Sequence, residues 1–398
     1  MKTDPSAKAP VAHRWVILAI LFTTRTVVGF HFQSVPALGP VLVQELGIDY
    51  ALLGTVIGFF MLPGVVFALP GGVLGQRFGD MRIAVIGLTL MVLGGVLLAV
   101  GSSVPLLAAA RLFSGIGAVF LNTVLAKMVT DWFAEREIVL AMAIFVTSWP
   151  VGIGLALISL PGLATITSTS VALGSTAVLS GVALALLLAA YRVPAGLVAA
   201  PATFRIQLSG REWALSILSG MVWGFYNVGL ILVLVFGPSL FTSQGMPIGT
   251  AGATASIVSW TMLISLPLGG YIAQRLNAPN AVMGGSFIAL AVAGSALAAG
   301  ASPVLICLVF GVLAGPPPGP IMGLPGAALR PQNRAAGMGV YYAAYYGAMA
   351  GLVPAAGAVR DATESASAPL YFAAAMMLAA PISLAGFRFV QREAATTH

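Results

Sequence analysis

One arginine stands in the middle of an apolar run. Arg25 follows Arg14 within residues 14–36. At 1.5 Å per residue it lies about 16 Å along a helix, near the centre of a hydrocarbon core of about 30 Å. All 11 acidic residues fall in loops, tails or the ends of apolar runs, so we expect no carboxylate at this depth. An unpaired guanidinium there can bind a small planar anion through two parallel hydrogen bonds.

The rest of this helix face is largely apolar. Phe32, seven residues after Arg25, shares the face and is a second candidate for substrate contact. His31 points to another side, which favours a helix contact over proton transfer. Arg25 could instead have a structural role, in which its guanidinium bonds helix carbonyls or reaches towards the membrane surface.

Aromatic residues recur at helical spacing in two later apolar runs. Trp223, Tyr226 and Asn227 form one stripe whose polar tips suit a cavity. A second run, YYAAYY, holds two adjacent tyrosine stripes, and we favour the one with Tyr342 and Tyr346 for the cavity. Aromatic stripes are also typical of helix packing, so the spacing alone leaves both interpretations open.

The composition places these residues in a membrane. Hydrophobic residues make up 59% of the 398-residue chain and charged residues 7%, with a mean hydropathy of +1.01. A soluble domain carries about 25% charged residues to cover its surface. The composition therefore excludes a soluble enzyme and a nucleic-acid-binding domain. One cysteine and three histidines do not make a clustered metal site, and we expect neither a metal nor a cofactor.

Apolar runs bounded by glycine, proline and charged residues predict twelve spanning helices. Their order places nearly all basic residues on the side of both termini and Arg360 alone on the other side, with Arg25 and Arg111 inside the membrane. This asymmetry predicts cytoplasmic termini and a place in the bacterial inner membrane. The predicted spans are 14–36, 51–72, 83–101, 105–128, 138–160, 169–191, 213–240, 249–271, 281–300, 304–326, 337–358 and 368–388.

The chain repeats itself with an offset of 198 residues. Trp15 then aligns with Trp213, and GGVLGQR at 71–77 aligns with GGYIAQR at 269–275. Such a repeat predicts two parallel six-helix halves with a substrate site between them near the bilayer midplane. The predicted units are a first half at 1–191, a cytoplasmic linker at 192–212 and a second half at 213–398.

The same offset relates Arg25 to the aromatic stripe of the seventh span. Position 25 corresponds to Trp223, so the pseudo-symmetric position opposite the arginine carries an indole. We therefore expect Arg25 and Trp223 to face one another across the substrate site.

Two segments carry a recognisable family pattern. GVLGQRFG at 72–79 resembles the G-x-L-a-D-R-x-G signature of the major facilitator superfamily, and Arg111 begins a segment that resembles its R-x-x-x-G-x-G element. The chain departs from the signature at Gln76 and Asp80, where the family usually has Asp and a basic residue. The resemblance, carried to the repeated positions, implies gating roles, with helix pairing or substrate contact also open for Arg111. The candidates are Gln76, Arg77, Asp80, Arg111, Arg136, Gln274 and Arg275.

The resemblance implies a transporter that works by alternating access rather than an enzyme. Thr24-Arg25, followed by Ser34-Val35-Pro36, is similar to the first span of cyanate-transporter-like members, which are associated with small or aromatic solutes. We predict a monomeric secondary transporter of a small organic or inorganic anion, driven by a gradient or by exchange as in an antiporter. Arg25 would anchor the substrate charge, and lipids would be its other partners. The alternative is an exporter of uncharged or aromatic molecules.

Overall fold

The computed structural model describes residues 11–133, 137–192, 208–330 and 333–392, and within these ranges the chain folds into helices joined by short turns. The helices are α1 Val11–Ala37, α2 Gly39–Leu46, α3 Tyr50–Gly58, α4 Leu62–Phe78, α5 Asp80–Ala99, α6 Val104–Phe133, α7 Ile138–Ile166, α8 Thr169–Ala190, α9 Gly210–Ser243, α10 Ile248–Leu276, α11 Pro279–Ala298, α12 Pro303–Ala314, α13 Pro318–Ala328, α14 Arg334–Thr363 and α15 Ala368–Arg392.

Two of the predicted spans are built from two helices each. The second span consists of α3 and α4, and the tenth consists of α12 and α13. Pro316 and Pro317 separate α12 from α13 because proline lacks a backbone donor and clashes with the preceding turn. The short α2 follows the first span and has a proline in its first turn, where the missing donor costs nothing.

Eleven helical segments in the described ranges are long and apolar enough to cross a membrane. The predicted eleventh span lies in α14, which has 30 residues and a length of about 45 Å. Its four tyrosines and many glycines and alanines lower its hydropathy. α14 packs against α3, α4, α9 and α15, so much of its surface meets protein rather than lipid.

The helices form the two predicted halves. Most helices of α1–α8 pack on one another, as do most of α9–α15, whereas α3 packs mainly on α14. The halves meet where α3 and α4 contact α14 and where α7 contacts α10. The first contact joins the second and eleventh spans, and the second joins the eighth and fifth. The repeat relates spans that are six apart, so the two contacts are equivalent. Residues 193–207, which make up most of the predicted linker, lie outside the described residues.

Arg111 braces the first half from inside. Its Nη1 donates to the carbonyl of His31 at 2.8 Å and its Nη2 to the carbonyl of Phe32 at 3.0 Å. The guanidinium also lies over the ring of Phe60, 4.5 Å from its centroid. The side chain is fully buried, so these contacts replace hydration that an apolar interior cannot supply. Arg111 thus ties α6 to α1 and to the turn between α3 and α4.

Candidate functional site

A cavity of about 710 Å³ lies between the two halves. Tyr226 and Ser259 line it near the middle of α9 and α10, and Ala126 and Met142 line it near the end of α6 and the start of α7. We call the face where α1 begins and α15 ends the terminal face, and the other the distal face. The cavity therefore extends from the middle of the bundle towards the terminal face.

Arg25 is the charged residue of the described cavity lining. Its Nη1 donates to the carbonyl of Phe145 at 3.2 Å, and its guanidinium carbon lies 4.7 Å from the centroid of the Phe145 ring. Among the described residues, no carboxylate pairs with it and no other acceptor takes its N–H groups. An arginine has five N–H donors, so most of them remain available to a ligand in the cavity.

Close packing of α1 on α7 explains why Arg25 meets Phe145. A Cβ at Gly29 would lie 2.6 Å from the backbone oxygen of Trp149, and one at Gly152 would overlap a backbone oxygen of α1. The two helices can therefore touch only because both positions are glycine. Phe145 and Trp149, one turn apart on α7, both line the cavity and form the aromatic wall of the first half.

The second half contributes a larger aromatic wall. Trp223 stacks on Tyr226 with ring centroids 5.5 Å apart, and Tyr345 lies 6.1 Å from Trp223 and 4.8 Å from Tyr346. Asn227 donates from Nδ2 to the carbonyl of Trp223 at 2.8 Å. The rings thus form a connected cluster from α9 to α14.

The break between α12 and α13 fixes one ring of this wall. Tyr226 donates its hydroxyl to the carbonyl of Ala314 at 2.5 Å. In a continuous helix that carbonyl would accept from the backbone of residue 318, but Pro318 has no N–H. The proline run therefore frees an acceptor for Tyr226, which holds the ring rigidly against Trp223.

The distal face is closed by polar contacts that cross between the halves. Asp361 of α14 accepts from the backbone N–H groups of Tyr50 at 3.1 Å and Ala51 at 2.6 Å, in the first turn of α3. Arg360 donates to the hydroxyl of Ser239 at 2.7 Å and lies over the ring of Tyr50, 3.5 Å from its centroid. A carboxylate at a helix N-terminus is favourable because the free N–H groups and the helix dipole both attract it.

Backbone contacts run beneath these polar groups. A Cβ at Gly54 would lie 2.9 Å from the Cα of Pro354, and one at Gly58 would lie 2.7 Å from the carbonyl oxygen of Ala350. A Cβ at Gly357 would overlap the carbonyl oxygen of Tyr50. Small residues four apart on one face allow helices to approach this closely inside a membrane. The distal ends of α3 and α14 are therefore in backbone contact.

A family model described as Major Facilitator Superfamily matches residues 15–354. The chain belongs to this superfamily. The fold of this superfamily member is similar to solved structures of the xylose transporter XylE from E. coli in an inward open conformation (TM-score 0.76, 12% identity, 93% of this chain and 96% of that one). It is also similar to the POT family transporter PepTSo (TM-score 0.74, 13% identity, 96% and 98%).

A curated relative is similar over part of its length. The probable nitrate transporter NarT of Staphylococcus haemolyticus is 26% identical over 143 residues, which cover 34% of this chain and 37% of that protein. Membership of the superfamily makes this chain a multi-pass membrane transporter rather than an enzyme.

Most of the predicted substrate residues of this superfamily member lie on one cavity. They are Arg25, Trp223, Tyr226, Asn227, Tyr342 and Tyr346.

Phe32 is the exception among the predicted substrate residues. It is fully buried behind Trp149, at 5.8 Å between ring centroids, and packs edge-on against Phe60. It shares the face of Arg25, but Trp149, which lines the cavity, covers its ring. The structure therefore does not bring Phe32 into the lining that the other predicted substrate residues share, because a helical wheel does not show which neighbouring side chains cover a residue.

Sequence reasoning missed four cavity residues with clear signals. Tyr345 belongs to the tyrosine stripe that we did not favour, yet it lines the cavity, whereas Tyr341 is buried and donates to the sulfur of Met322. Phe145 and Trp149 are one helical turn apart on the fifth predicted span. Asn122 shares the face of Arg111 in the sequence and lines the cavity.

No described hydrogen bond, ion pair or ring contact joins two of the predicted gating residues. Arg77, Gln274 and Arg275 are exposed, and Asp80 accepts from Lys127 within the same half. Arg111 is a buried brace, as described above, and contacts neither the cavity nor the second half in the described contacts. The side chain of Gln76, and Arg136 as a whole, lie outside the described residues.

Proposed function

We propose that this superfamily member carries a small organic or inorganic anion across a cell membrane, with Arg25 as the anchor for the negative charge. The observation that carries the proposal is the position of Arg25: it lines the cavity, has no carboxylate partner among the described residues and keeps most of its N–H donors free. A charge in the membrane interior is costly, at least about 2.5–3.5 kcal/mol on insertion scales. A bound anion would offset that cost.

The partial similarity to NarT, a probable nitrate transporter, supports an anion as cargo. The absence of Asp and Glu from the described cavity lining supports it further, because a cationic substrate would need a carboxylate.

The architecture supports alternating access as the mechanism. The cavity extends to the terminal face while cross-half contacts close the distal face. We propose that residues 1–191 and 213–398 rock against one another around the cavity, with 192–212 as the linker, and that a gradient or exchange drives the cycle. The basic residues of the terminal face support a cytoplasmic position for both termini, in a bacterial inner membrane. We propose that the transporter works as a monomer surrounded by lipid.

A second candidate function is export of uncharged aromatic molecules. The observation that favours it is the aromatic wall, which includes Trp149, Trp223 and Tyr345. Neutral aromatic molecules would bind these rings without using Arg25, and this difference separates the two candidates.

The test is a thermal-stability screen of purified protein against small anions and neutral aromatic molecules. A ligand that binds the folded state raises its melting temperature. We expect an anion to stabilise the wild type and not the Arg25→Gln variant. Arg192→Gln, which alters an exposed arginine far from the cavity lining, is the matched control and should respond like the wild type. Equal stabilisation of all three proteins by neutral aromatic molecules, with none by anions, would refute the anion proposal.

A further inference from the structure

We infer that the preferred substrate is a planar aromatic carboxylate, bound with its carboxylate on Arg25 and its ring between the aromatic walls of the two halves. This inference rests on the proposed anion transport and names the class of anion. It follows from the number of donors in the cavity, from the size of the cavity and from the distribution of its aromatic rings.

The cavity offers charge-assisted donors at one place. Arg25 supplies the charged guanidinium edge of the described lining, and Asn227 contributes a neutral amide that already gives one of its two N–H groups to the carbonyl of Trp223. A small inorganic anion exposes charge in every direction and would need donors on several sides to replace its water shell. A carboxylate on a hydrocarbon body exposes charge at one end, which a guanidinium edge matches with two parallel bonds.

The remaining walls favour rings over bare anions. Phe145, Trp149, Trp223, Tyr342 and Tyr345 line the cavity around Arg25. The faces of aromatic rings carry a negative partial charge, so they repel an anion but accept another ring in offset-stacked or edge-to-face contact. An aromatic carboxylate can place its charged end against Arg25 and its ring against the aromatic side chains.

The two walls also belong to different halves. Phe145 and Trp149 lie on α7, whereas Trp223 lies on α9 and Tyr345 on α14. A triatomic or tetra-atomic anion would fill only a small part of a cavity of about 710 Å³. A ring with a carboxylate is long enough to touch both walls, so its binding would couple the two halves that must move together.

Four probes isolate the three features of such a ligand. Benzoate has the ring and the charge, cyclohexanecarboxylate has the charge and a saturated ring, benzamide has the planar ring without the charge, and nitrate is a planar anion without a ring. Their dissociation constants are measured by isothermal titration calorimetry on the purified full-length protein.

We expect benzoate to bind most tightly. Cyclohexanecarboxylate should bind about 3- to 10-fold more weakly, because it lacks ring–ring contacts. Benzamide and nitrate should each bind at least about 10-fold more weakly, because one lacks the charge-assisted bonds and the other lacks the ring.

Variants assign each preference to a residue. Arg25→Gln should remove the preference for benzoate over benzamide. Trp223→Leu should remove the preference for benzoate over cyclohexanecarboxylate. Trp223→Phe keeps an aromatic ring and should retain the preference for benzoate over cyclohexanecarboxylate, which shows that the loss in Trp223→Leu is not caused by misfolding. Trp213→Leu, at an exposed position outside the cavity lining, is the matched control and should bind all four probes like the wild type.

Two outcomes would overturn the inference and differ in what else they overturn. Nitrate binding as tightly as benzoate, with both lost in Arg25→Gln, would reject the aromatic substrate and leave anion transport standing. Benzamide binding as tightly as benzoate, with no effect of Arg25→Gln, would reject both the aromatic carboxylate and the anion proposal.

Discussion

The distal and terminal faces of the bundle use their polar side chains in opposite ways. At the distal face, bonds from Asp361 and Arg360 of the second half end on Tyr50 and Ala51 of the first half and on Ser239 of their own. At the terminal face, the ion pairs that the structure describes each stay within one half. They are Arg14–Glu137, Lys127–Asp80, Lys127–Asp131 and Arg330–Glu212.

This difference assigns a different mechanical role to each set of charges. Pairs within a half hold its helices together whichever way the cavity faces, as Glu212 does when it bonds Arg330 and raises the pKa of that guanidinium. Bonds between the halves exist only while the distal face is closed. Breaking the two sets of contacts should therefore give two kinds of result.

All four variants below share one readout, the distance between spin labels on the two halves at the distal face. Labels are attached at Gln44→Cys and Gln244→Cys, both exposed positions, in a Cys307→Ser background that removes the single native cysteine. Double electron–electron resonance then reports the fraction of molecules with separated labels.

The largest effect is expected from Gly357→Leu. A Cβ at Gly357 would overlap the backbone oxygen of Tyr50, so a leucine cannot fit while the distal face is closed. Overpacking of this kind costs about 3 kcal/mol, enough to make the separated labels the main population. Gly351→Leu is the control, because Gly351 lies on the same helix and a Cβ there would meet nothing within 4 Å. A short label distance in both variants would contradict the closed arrangement of α3 and α14.

Asp361→Asn should have the next largest effect. Asparagine has nearly the same shape but loses the charge that binds the N–H groups of Tyr50 and Ala51, at a cost of about 1–2 kcal/mol. The separated population should rise about 5- to 30-fold. Asp49→Asn is the closest control for Asp361→Asn. Asp49 also caps α3, by accepting from the backbone N–H of Leu52, but it belongs to the same half as that helix. It should lower thermal stability without moving the labels.

Arg360→Gln should shift the same distance distribution less. The substitution removes the cation–π contact with Tyr50 and weakens the bond to Ser239, together about 1 kcal/mol. About a fivefold rise in the separated population is expected. No change would assign closure of the distal face to Asp361 and the glycine contacts alone.

Lys127→Met should have the smallest effect. Lys127 pairs with Asp80 and Asp131 inside the first half and is 46% exposed, so the loss in stability should stay below about 1 kcal/mol. The label distance should not change. A separated population as large as that of Asp361→Asn would mean that pairs within a half also control the distal face.

The fold could be predicted from sequence because lipid leaves few choices. A chain with so few charges must bury its backbone polar groups in long apolar helices, and the offset of 198 residues relates the halves. That offset also predicted the position of Trp223 from that of Arg25, and both residues line the cavity.

The rest of the site depends on contacts between distant residues. Asp361 meets Tyr50 across 311 positions of the chain, and no local pattern links them. The sequence feature that pointed to this contact was Arg360, the lone basic residue predicted on its side of the membrane. Tyr345 was missed because two tyrosine stripes one residue apart differ only by a rotation of α14, which neighbouring helices decide.

The glycines at the distal contact have a consequence for turnover. Gly54, Gly58 and Gly357 bring α3 and α14 close together, with no side chain of their own between the two helices. When they part, no side chains at these three positions must find new partners, and water at the membrane surface can hydrate the N–H groups that Asp361 releases. The two orientations of the cavity can then be nearly equal in free energy. A transporter must adopt both orientations in every cycle, so a deep free-energy minimum at either one would slow turnover. Contact through glycines avoids such a minimum.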